Sequence, residues 1–226
     1  MNSLTLLIPA HKESESLPIF LNELNNYPYK KMVVLQKEDV ETINSISDFK
    51  DVELYIQKKK GYGSALKEGL TNIKTEFFCI INADGSMDPK YLSDMLLLCE
   101  KKDFVFASRY LKGGGSDDDD IITFVGNKCF SFIGNLLFSL NLSDILYTFV
   151  IGKTTSAKML ELKYYDFRIC VEIPIKAKTR NLLFTSTPSK ERKRIGGQKK
   201  VNALKDGFLI LTAIFELFFK RIFKFK

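Results

Sequence analysis

The stretch Phe77-Phe78-Cys79-Ile80-Ile81-Asn82-Ala83-Asp84-Gly85-Ser86-Met87-Asp88-Pro89 decides the fold. A run of buried-strand type ends in a cluster of oxygen-bearing side chains and then in a helix opened by proline. Ligands of open α/β sheets gather at the carboxyl ends of strands, so chemistry is expected here. Asp84, Ser86 and Asn82 suit a hard cation, Mg²⁺ or Mn²⁺, which takes one or two protein carboxylates plus phosphate oxygens. The ligand expected with it is a nucleotide diphosphate. The same residues also serve in a plain turn, with Asp84 or Ser86 capping the next helix, and taken by themselves they leave both readings open.

Outward from this stretch, apolar runs alternate with amphipathic segments. Leu4 to Ile8, Met32 to Leu35, Val52 to Ile56, Phe77 to Ile81 and Phe104 to Ala107 read as strands. Helical segments lie near Leu17 to Leu24, Ser64 to Ile73 and Pro89 to Leu98. This alternation predicts a mostly parallel, doubly wound α/β sheet flanked by helices. After Gly113-Gly114-Gly115 the pattern changes to an apolar helix around Phe124 to Leu140 and a β-like piece at Leu146 to Ile151. A helix near Phe167 to Lys178 and a strand at Leu182 to Thr187 follow, with no internal repeat.

A chain of 226 residues, 45% of them hydrophobic, buries a full core as one large domain. Its formal charge of +7 suits an anionic partner. Nucleic acid is not expected, because the basic residues form no helix-turn-helix, zinc finger or aromatic-basic platform. A phosphorylated substrate or an anionic membrane surface fits better. Cys79, Cys99, Cys129 and Cys170 are scattered, which argues against zinc or disulfides and for a reducing cytosol. Met1 to Ile8 enters a strand pattern directly, so no signal peptide is expected.

The tail differs again. Phe208-Leu209-Ile210-Leu211-Thr212-Ala213-Ile214-Phe215 and Leu217-Phe218-Phe219 precede Lys220-Arg221-Ile222-Phe223-Lys224-Phe225-Lys226. The apolar run is shorter than the roughly 20 residues a spanning helix needs. Aromatic and basic residues together favour a helix lying in the lipid headgroup layer. The competing reading is a helix packed on the domain or on a second copy of the chain.

These pieces together resemble family 2 glycosyltransferases of the GT-A fold, and within them the dolichyl- or undecaprenyl-phosphate sugar transferases. Ile8-Pro9-Ala10-His11-Lys12-Glu13 is similar to the family's first-strand motif. Lys60-Gly61-Tyr62-Gly63-Ser64-Ala65-Leu66-Lys67-Glu68-Gly69-Leu70 is similar to its glycine-rich helix start, and Asn82-Ala83-Asp84 to its Asp-x-Asp region. Ser108-Arg109-Tyr110, Gly126-Asn127-Lys128, Ser143-Asp144-Ile145 and Glu191 to Asn202 follow in the family's order. The resemblance covers nearly the whole chain. It rests on the order and spacing of motifs that are each weak.

The resemblance implies a GT-A domain over residues 1–205, followed by the aromatic and basic helix over 206–226 as a membrane-surface or interface element. It implies sugar transfer, with inversion, from a UDP- or GDP-linked sugar to a polyprenyl phosphate or a membrane-linked glycan, at the cytoplasmic membrane face. Pro9, His11, Glu13, Gln36, Gly61, Asn82, Ala83 and Asp84 fall where the nucleotide-sugar binds. Asp84, Ser86 and Asn82 fall at the metal. Arg109 and Arg194 fall beside the reacting phosphates with Asp84, while Lys128, Ser131 and Lys200 fall where the acceptor phosphate is gripped. The chemistry makes sense on its own terms, since fixed cations stabilise the negative charge growing on a departing nucleoside diphosphate. A phosphate acceptor is already ionised at neutral pH and needs little general-base help.

Departures from the pattern cluster at the site. Gln36 stands where a base-reading Asp is expected, and Asn82 replaces the first Asp of Asp-x-Asp, so a weak metal site is expected. His11-Lys12 replace Tyr-Asn, Cys170 replaces a Glu, and Lys199 replaces a Ser; Lys12 and Lys37 stand in as cations. A non-catalytic relative and a basic lipid-surface or nucleic-acid binding module are the two rival readings. His11 reads as a loop residue rather than a general base. Gly61-Tyr62-Gly63 serves either to cradle phosphate or to permit a tight turn, and without a Gly-Lys-Ser/Thr ending it is not a P-loop. Asp117 to Asp120 reads as a mobile, solvated loop on the acceptor side. The sequon Asn141-Leu142-Ser143 carries no meaning without secretion.

Overall fold

The structure, a computed structural model, describes residues 3–197 and 203–224. Lys200, one of the expected phosphate ligands, lies outside the described residues, as does Lys199.

Among the described residues nine strands form in chain order: β1 (Leu4–Pro9), β2 (Lys30–Leu35), β3 (Val52–Ile56), β4 (Phe77–Ile80), β5 (Phe104–Ser108), β6 (Gly115–Ser116), β7 (Val150–Lys153), β8 (Phe184–Pro188) and β9 (Lys190–Glu191). Seven make one sheet in the order β3-β2-β1-β4-β7-β5-β8, and β6 pairs with β9 apart from it. All neighbours in the large sheet run parallel except β7, which lies antiparallel between β4 and β5. The chain winds from β1 outward to β3, then crosses back to place β4 on the other side of β1. The strand order reverses there, and the crevice at a reversal is the expected ligand position.

Period-two alternation divides the core between the two faces of the sheet. Leu7, Met32, Val34, Phe78 and Ile80 face one apolar layer. Leu6, Ile8, Val33, Leu35, Cys79 and Ile81 face the other. The second layer takes Leu17, Phe20, Leu21 and Leu24 from α1 (Ser16–Leu24) and Leu92, Met95 and Cys99 from α4 (Leu92–Cys99). The first takes residues from α3 (Tyr62–Asn72), α7 (Ile169–Thr179) and α8 (Ala203–Lys224), with α5 (Ile121–Phe138) packed beside them. The short helices α2 (Val40–Ser45) and α6 (Thr154–Met159) complete the fold. All four cysteines are free.

The tail helix packs on the domain. It begins at Ala203, and Ile210, Ala213 and Ile214, spaced i, i+3, i+4, are buried in the same core as α3 and α7. Removing it would uncover the domain's interior. Its opposite stripe is apolar as well and faces outward, with Leu204, Phe208, Phe215 and Phe219 all exposed.

Candidate active site

The carboxyl ends of β1, β2 and β4 open into a cavity of about 820 Å³. Pro9, Ala10, His11 and Glu13 reach it from β1, Gln36 from β2, and Asn82, Ala83, Asp84 and Ser86 from β4. A shallower polar hollow shares His11, Glu13 and Gln36 and adds Lys12 and Lys60. The far wall of the cavity is apolar: Phe167 and Cys170 from the start of α7, Ile122 and Phe130 from α5, Leu204 and Phe208 from α8. One chamber thus joins a polar floor to a greasy wall.

Asp84 is built by its own loop. The Ser86 N–H and Oγ both donate to Asp84 Oδ1, at 3.0 and 2.8 Å, while Gly85 takes φ +72°, which glycine adopts without cost. The returning segment after β9 is hydrogen-bonded to this loop. Arg192 N–H donates to Ser86 O and Ile195 N–H to Asp84 O, both at 2.8 Å. The side chain between them, Arg194, therefore lies over the loop, its Nη1 3.6 Å from Asp84 Oδ2 and its Nη2 2.9 Å from Asp118 Oδ2. Burial opposes the Arg194 charge, but Asp118 and Asp84 outweigh it and hold the guanidinium above its ordinary pKa.

The donor set fits a divalent ion that draws most of its ligands from phosphate and water. Asp84 offers Oδ2, since Oδ1 is occupied by Ser86. Asn82 Oδ1 accepts a hydrogen bond from the Tyr62 hydroxyl at 3.1 Å, so its oxygen already has a protein partner. Among the described residues no group of three His, Cys, Asp or Glu side chains is placed to hold a metal. One carboxylate plus diphosphate is a ligand set that Mg²⁺ accepts.

Arg109 is committed to a carboxylate cluster. It grips Asp144 with Nε (2.8 Å) and Nη2 (3.1 Å), and its Nη1 reaches Asp119 (3.1 Å) and Glu191 (3.2 Å). Three carboxylates share one guanidinium, so the cluster carries excess negative charge. Burial above all, then Asp119, raises the Glu191 pKa, while Arg109 pulls it down. The same cluster overturns the expectation of a solvated acidic run. Asp117 pairs with Lys190 (3.0 Å), Asp118 with Arg194, Asp119 with Arg109 and the Tyr110 hydroxyl (2.6 Å), and Asp120 caps α5 by accepting from Thr123 N–H (2.7 Å). Asp117 and Asp118 find their partners in β9 and the segment beyond it, while Asp117 and Asp120 stay exposed.

The remaining expected residues divide. Gly61 lines the cavity, and its φ of +111° has a packing cause, because a Cβ there would stand 2.1 Å from Tyr165 O. Gly63 is held the same way, 2.7 Å from Tyr164 O. That neighbouring loop is fixed by Glu172, fully buried, which accepts from the N–H groups of Lys163 and Tyr164. His11 is half exposed, with Nδ1 3.9 Å from Asp39, in keeping with a loop residue. Two of the expected acceptor ligands do not line the cavity. Ser131 is buried and accepts from Ile145 N–H at 3.2 Å, and Lys128 is exposed with its ammonium 4.7 Å from the Tyr110 ring centroid.

Several site residues escaped the reading of the sequence. Tyr62 bridges Asn82 and Thr148 (2.7 Å) and stacks on Phe167 with centroids 5.1 Å apart. Asp39 ties down the first loop, accepting from Lys12 N–H (2.6 Å) and from Thr42 Oγ1 (2.8 Å), which in turn accepts from Glu13 N–H (3.0 Å). Each Asp39 oxygen thus accepts one hydrogen bond. Cys170 is a neutral thiol: burial, the largest cause, pushes its pKa up to about 12. Nothing at that position serves as a general base.

A parallel sheet with one antiparallel strand, a nucleotide-type crevice at the β1/β4 reversal and an Asp-bearing loop there define the GT-A class of fold. The family model for glycosyl transferase family 2 matches residues 5–160, and the chain belongs to that family. An uncharacterized glycosyltransferase of Mycobacterium tuberculosis (strain ATCC 25618 / H37Rv) is 29% identical over 98 residues, 42% of this chain and 44% of its own length. The chain therefore matches less than half the length of that relative. Glucosyl-3-phosphoglycerate synthase of M. tuberculosis, in a complex with Mn²⁺, UDP and glucosyl-3-phosphoglycerate, superposes with TM-score 0.71 at 13% identity, over 96% of this chain and 80% of its own. Mannosyl-3-phosphoglycerate synthase of Rubrobacter xylanophilus superposes with TM-score 0.70 at 14% identity, over 98% and 74%. At such identities the likeness is one of fold.

Proposed function

We propose that the protein transfers a sugar from a UDP- or GDP-sugar to the phosphate of a polyprenyl lipid or lipid-linked glycan, with inversion, at the cytoplasmic face of a membrane. The observation that carries this reading is the single chamber with Asp84 and Arg194 on its polar floor and α5, α7 and α8 as its apolar wall. A donor diphosphate fits the floor and a hydrocarbon chain fits the wall. Asp84 would hold Mg²⁺ or Mn²⁺ through Oδ2, and the ion when bound supplies positive charge to the diphosphate. An acceptor phosphate oxygen attacks the anomeric carbon, the bond from that carbon to the diphosphate breaks, and the electron pair leaves on the diphosphate. Arg194 stabilises the charge that develops there. No proton needs removal from an ionised phosphate, which agrees with a site whose Cys170 stays protonated.

The acceptor named for the two synthases is a small phosphorylated acid, and transfer to such an acceptor is the reading the test must separate. Purified protein is incubated with UDP- and GDP-sugars, Mn²⁺, and either undecaprenyl phosphate in detergent or 3-phosphoglycerate. Nucleoside diphosphate release that depends on the lipid phosphate is expected. Release only with 3-phosphoglycerate overturns the lipid acceptor, and nucleotide binding without release under any condition makes the protein a non-catalytic relative.

A further inference from the structure

The helix α5 carries an outward face that its length and composition do not explain. At 18 residues it is long and apolar enough to cross a bilayer, and only 22% of it is buried. Its inner stripe belongs to the domain, however: Asn127 donates to the Tyr110 hydroxyl (2.9 Å), Ser131 accepts from Ile145 N–H, and Asn135 exchanges hydrogen bonds with Leu142. A helix tied down by these polar contacts lies on the domain and does not span. Its outer stripe runs Ile121, Val125, Phe132, Leu136, spaced four or seven apart, with Ile121 81% and Phe132 67% exposed.

That stripe continues onto α8. A Cβ on Gly207 would meet Phe130 at 3.6 Å, and the Phe138 and Phe218 rings stand 5.9 Å apart, so the two helices run side by side in the same direction. Both turn their buried stripes to the same core, which leaves both outer stripes on one surface. Leu204 (88% exposed) and Phe208 (68%) belong to this surface and to the cavity wall at once. The chamber therefore opens at its edge.

The geometry points to α5 and α8 together as the face that docks on an anionic lipid bilayer, with the cavity mouth at the headgroup layer. Exposed Lys128 on α5 and Lys205, Lys220 and Arg221 on α8 supply positive charge around the apolar surface. Two acidic residues, Asp206 and Glu216, also lie on α8, and Glu216 is tied to Lys220 and the Tyr164 hydroxyl. Apolar burial combined with cations is what an anionic interface selects. A second copy of the chain is a poorer occupant, because a two-fold contact sets a patch against itself and would bring these cations together. The role of the surface rests on the proposed lipid acceptor, but its existence does not, so the test uses vesicles without any polyprenyl lipid.

Cys129 lies exposed on α5 while Cys79, Cys99 and Cys170 are buried, so an environment-sensitive fluorophore attached to the folded protein reports on α5. With vesicles of phosphatidylcholine and phosphatidylglycerol, a blue shift that weakens with salt is expected. Phe132→Ser with Leu136→Ser on α5, and separately Phe215→Ser with Phe219→Ser on α8, should each lower vesicle partitioning about tenfold or more while leaving nucleotide binding in place. Unchanged partitioning of the α5 variant overturns the assignment. So does a blue shift that follows protein concentration without vesicles, which would make the surface a contact between copies.

Discussion

The Arg194 guanidinium stands 3.6 Å from the Asp84 carboxylate, a cation already in place beside the proposed metal ligand. Divalent-ion affinity without nucleotide should therefore be weak, because an entering ion meets like charge as well as a single carboxylate. Asp84→Asn should abolish the enhancement of nucleotide binding by Mn²⁺. Calorimetry with UDP and GDP in the presence and absence of Mn²⁺ checks this, and an enhancement that survives the substitution moves the ion elsewhere.

Arg194→Ala separates donor from acceptor. Charge-assisted hydrogen bonds are worth about 1.5 to 3 kcal/mol, roughly ten- to a hundredfold in rate. Transfer should fall by that much, with donor affinity falling less. Equal losses would mean that Arg194 holds the donor diphosphate no more tightly in the transition state than in the ground state, and an unaltered rate would remove it from the site.

Arg109 should prove to be a stability residue. Removing one partner of a buried ion cluster leaves uncompensated charge and costs about 3–5 kcal/mol. Arg109→Met strands Asp144, Asp119 and Glu191 together. A urea midpoint within error of the parent protein would refute the cluster's role.

Glu191 predicts a pH signature. Its native pKa lies above the ordinary carboxylate value, with burial as the main cause, so the folded state holds this proton more tightly than the unfolded chain does. The stability it contributes is full below the unfolded-chain pKa and is lost as pH rises through the native one. Glu191→Gln keeps the acceptor oxygen and removes the titration. Unfolding free energies from about pH 4 to about pH 7 should show the parent losing stability relative to this variant. Parallel curves would rule the shift out.

Gly61→Ala should destabilise by at least about 2 kcal/mol, because strained backbone and steric overlap add. The φ of +111° disfavours any side chain, and the Cβ would fall 2.1 Å from a backbone oxygen that Glu172 helps hold in position. A thermal midpoint equal to that of the parent protein would contradict this.

What was legible in the chain follows from how local each signal is. β3 runs from Val52 to Ile56 as the apolar run indicates, and β1, β2, β4 and β5 differ from their runs by one or two residues at an end. Short elements such as α2, α6, β6 and β9 carry too few residues for a period to show, and they were missed. The direction of β7 is set by its neighbours and leaves no mark on Val150 to Lys153. At the site, Asp84 and Arg194 were legible through motif order. Tyr62, Asp39 and Glu191 were not, since their partners lie 20 to 86 residues away for Tyr62, 27 for Asp39 with Lys12, and 82 for Glu191 with Arg109. The Asp117–Asp120 run was misread for the same reason: a rule about neighbouring charges cannot see Lys190 or Arg194.

The main-chain bonds from Arg192 and Ile195 to the Asp84 loop close a long loop around the site. Contacts of such sequence separation are costly in loop-closure entropy and form late. A growing polypeptide can pair β1 to β4 while its Asp84 loop still lacks Arg194. The Asp84 loop would thus gain its neighbouring cation only after the segment beyond β9 has folded back onto it.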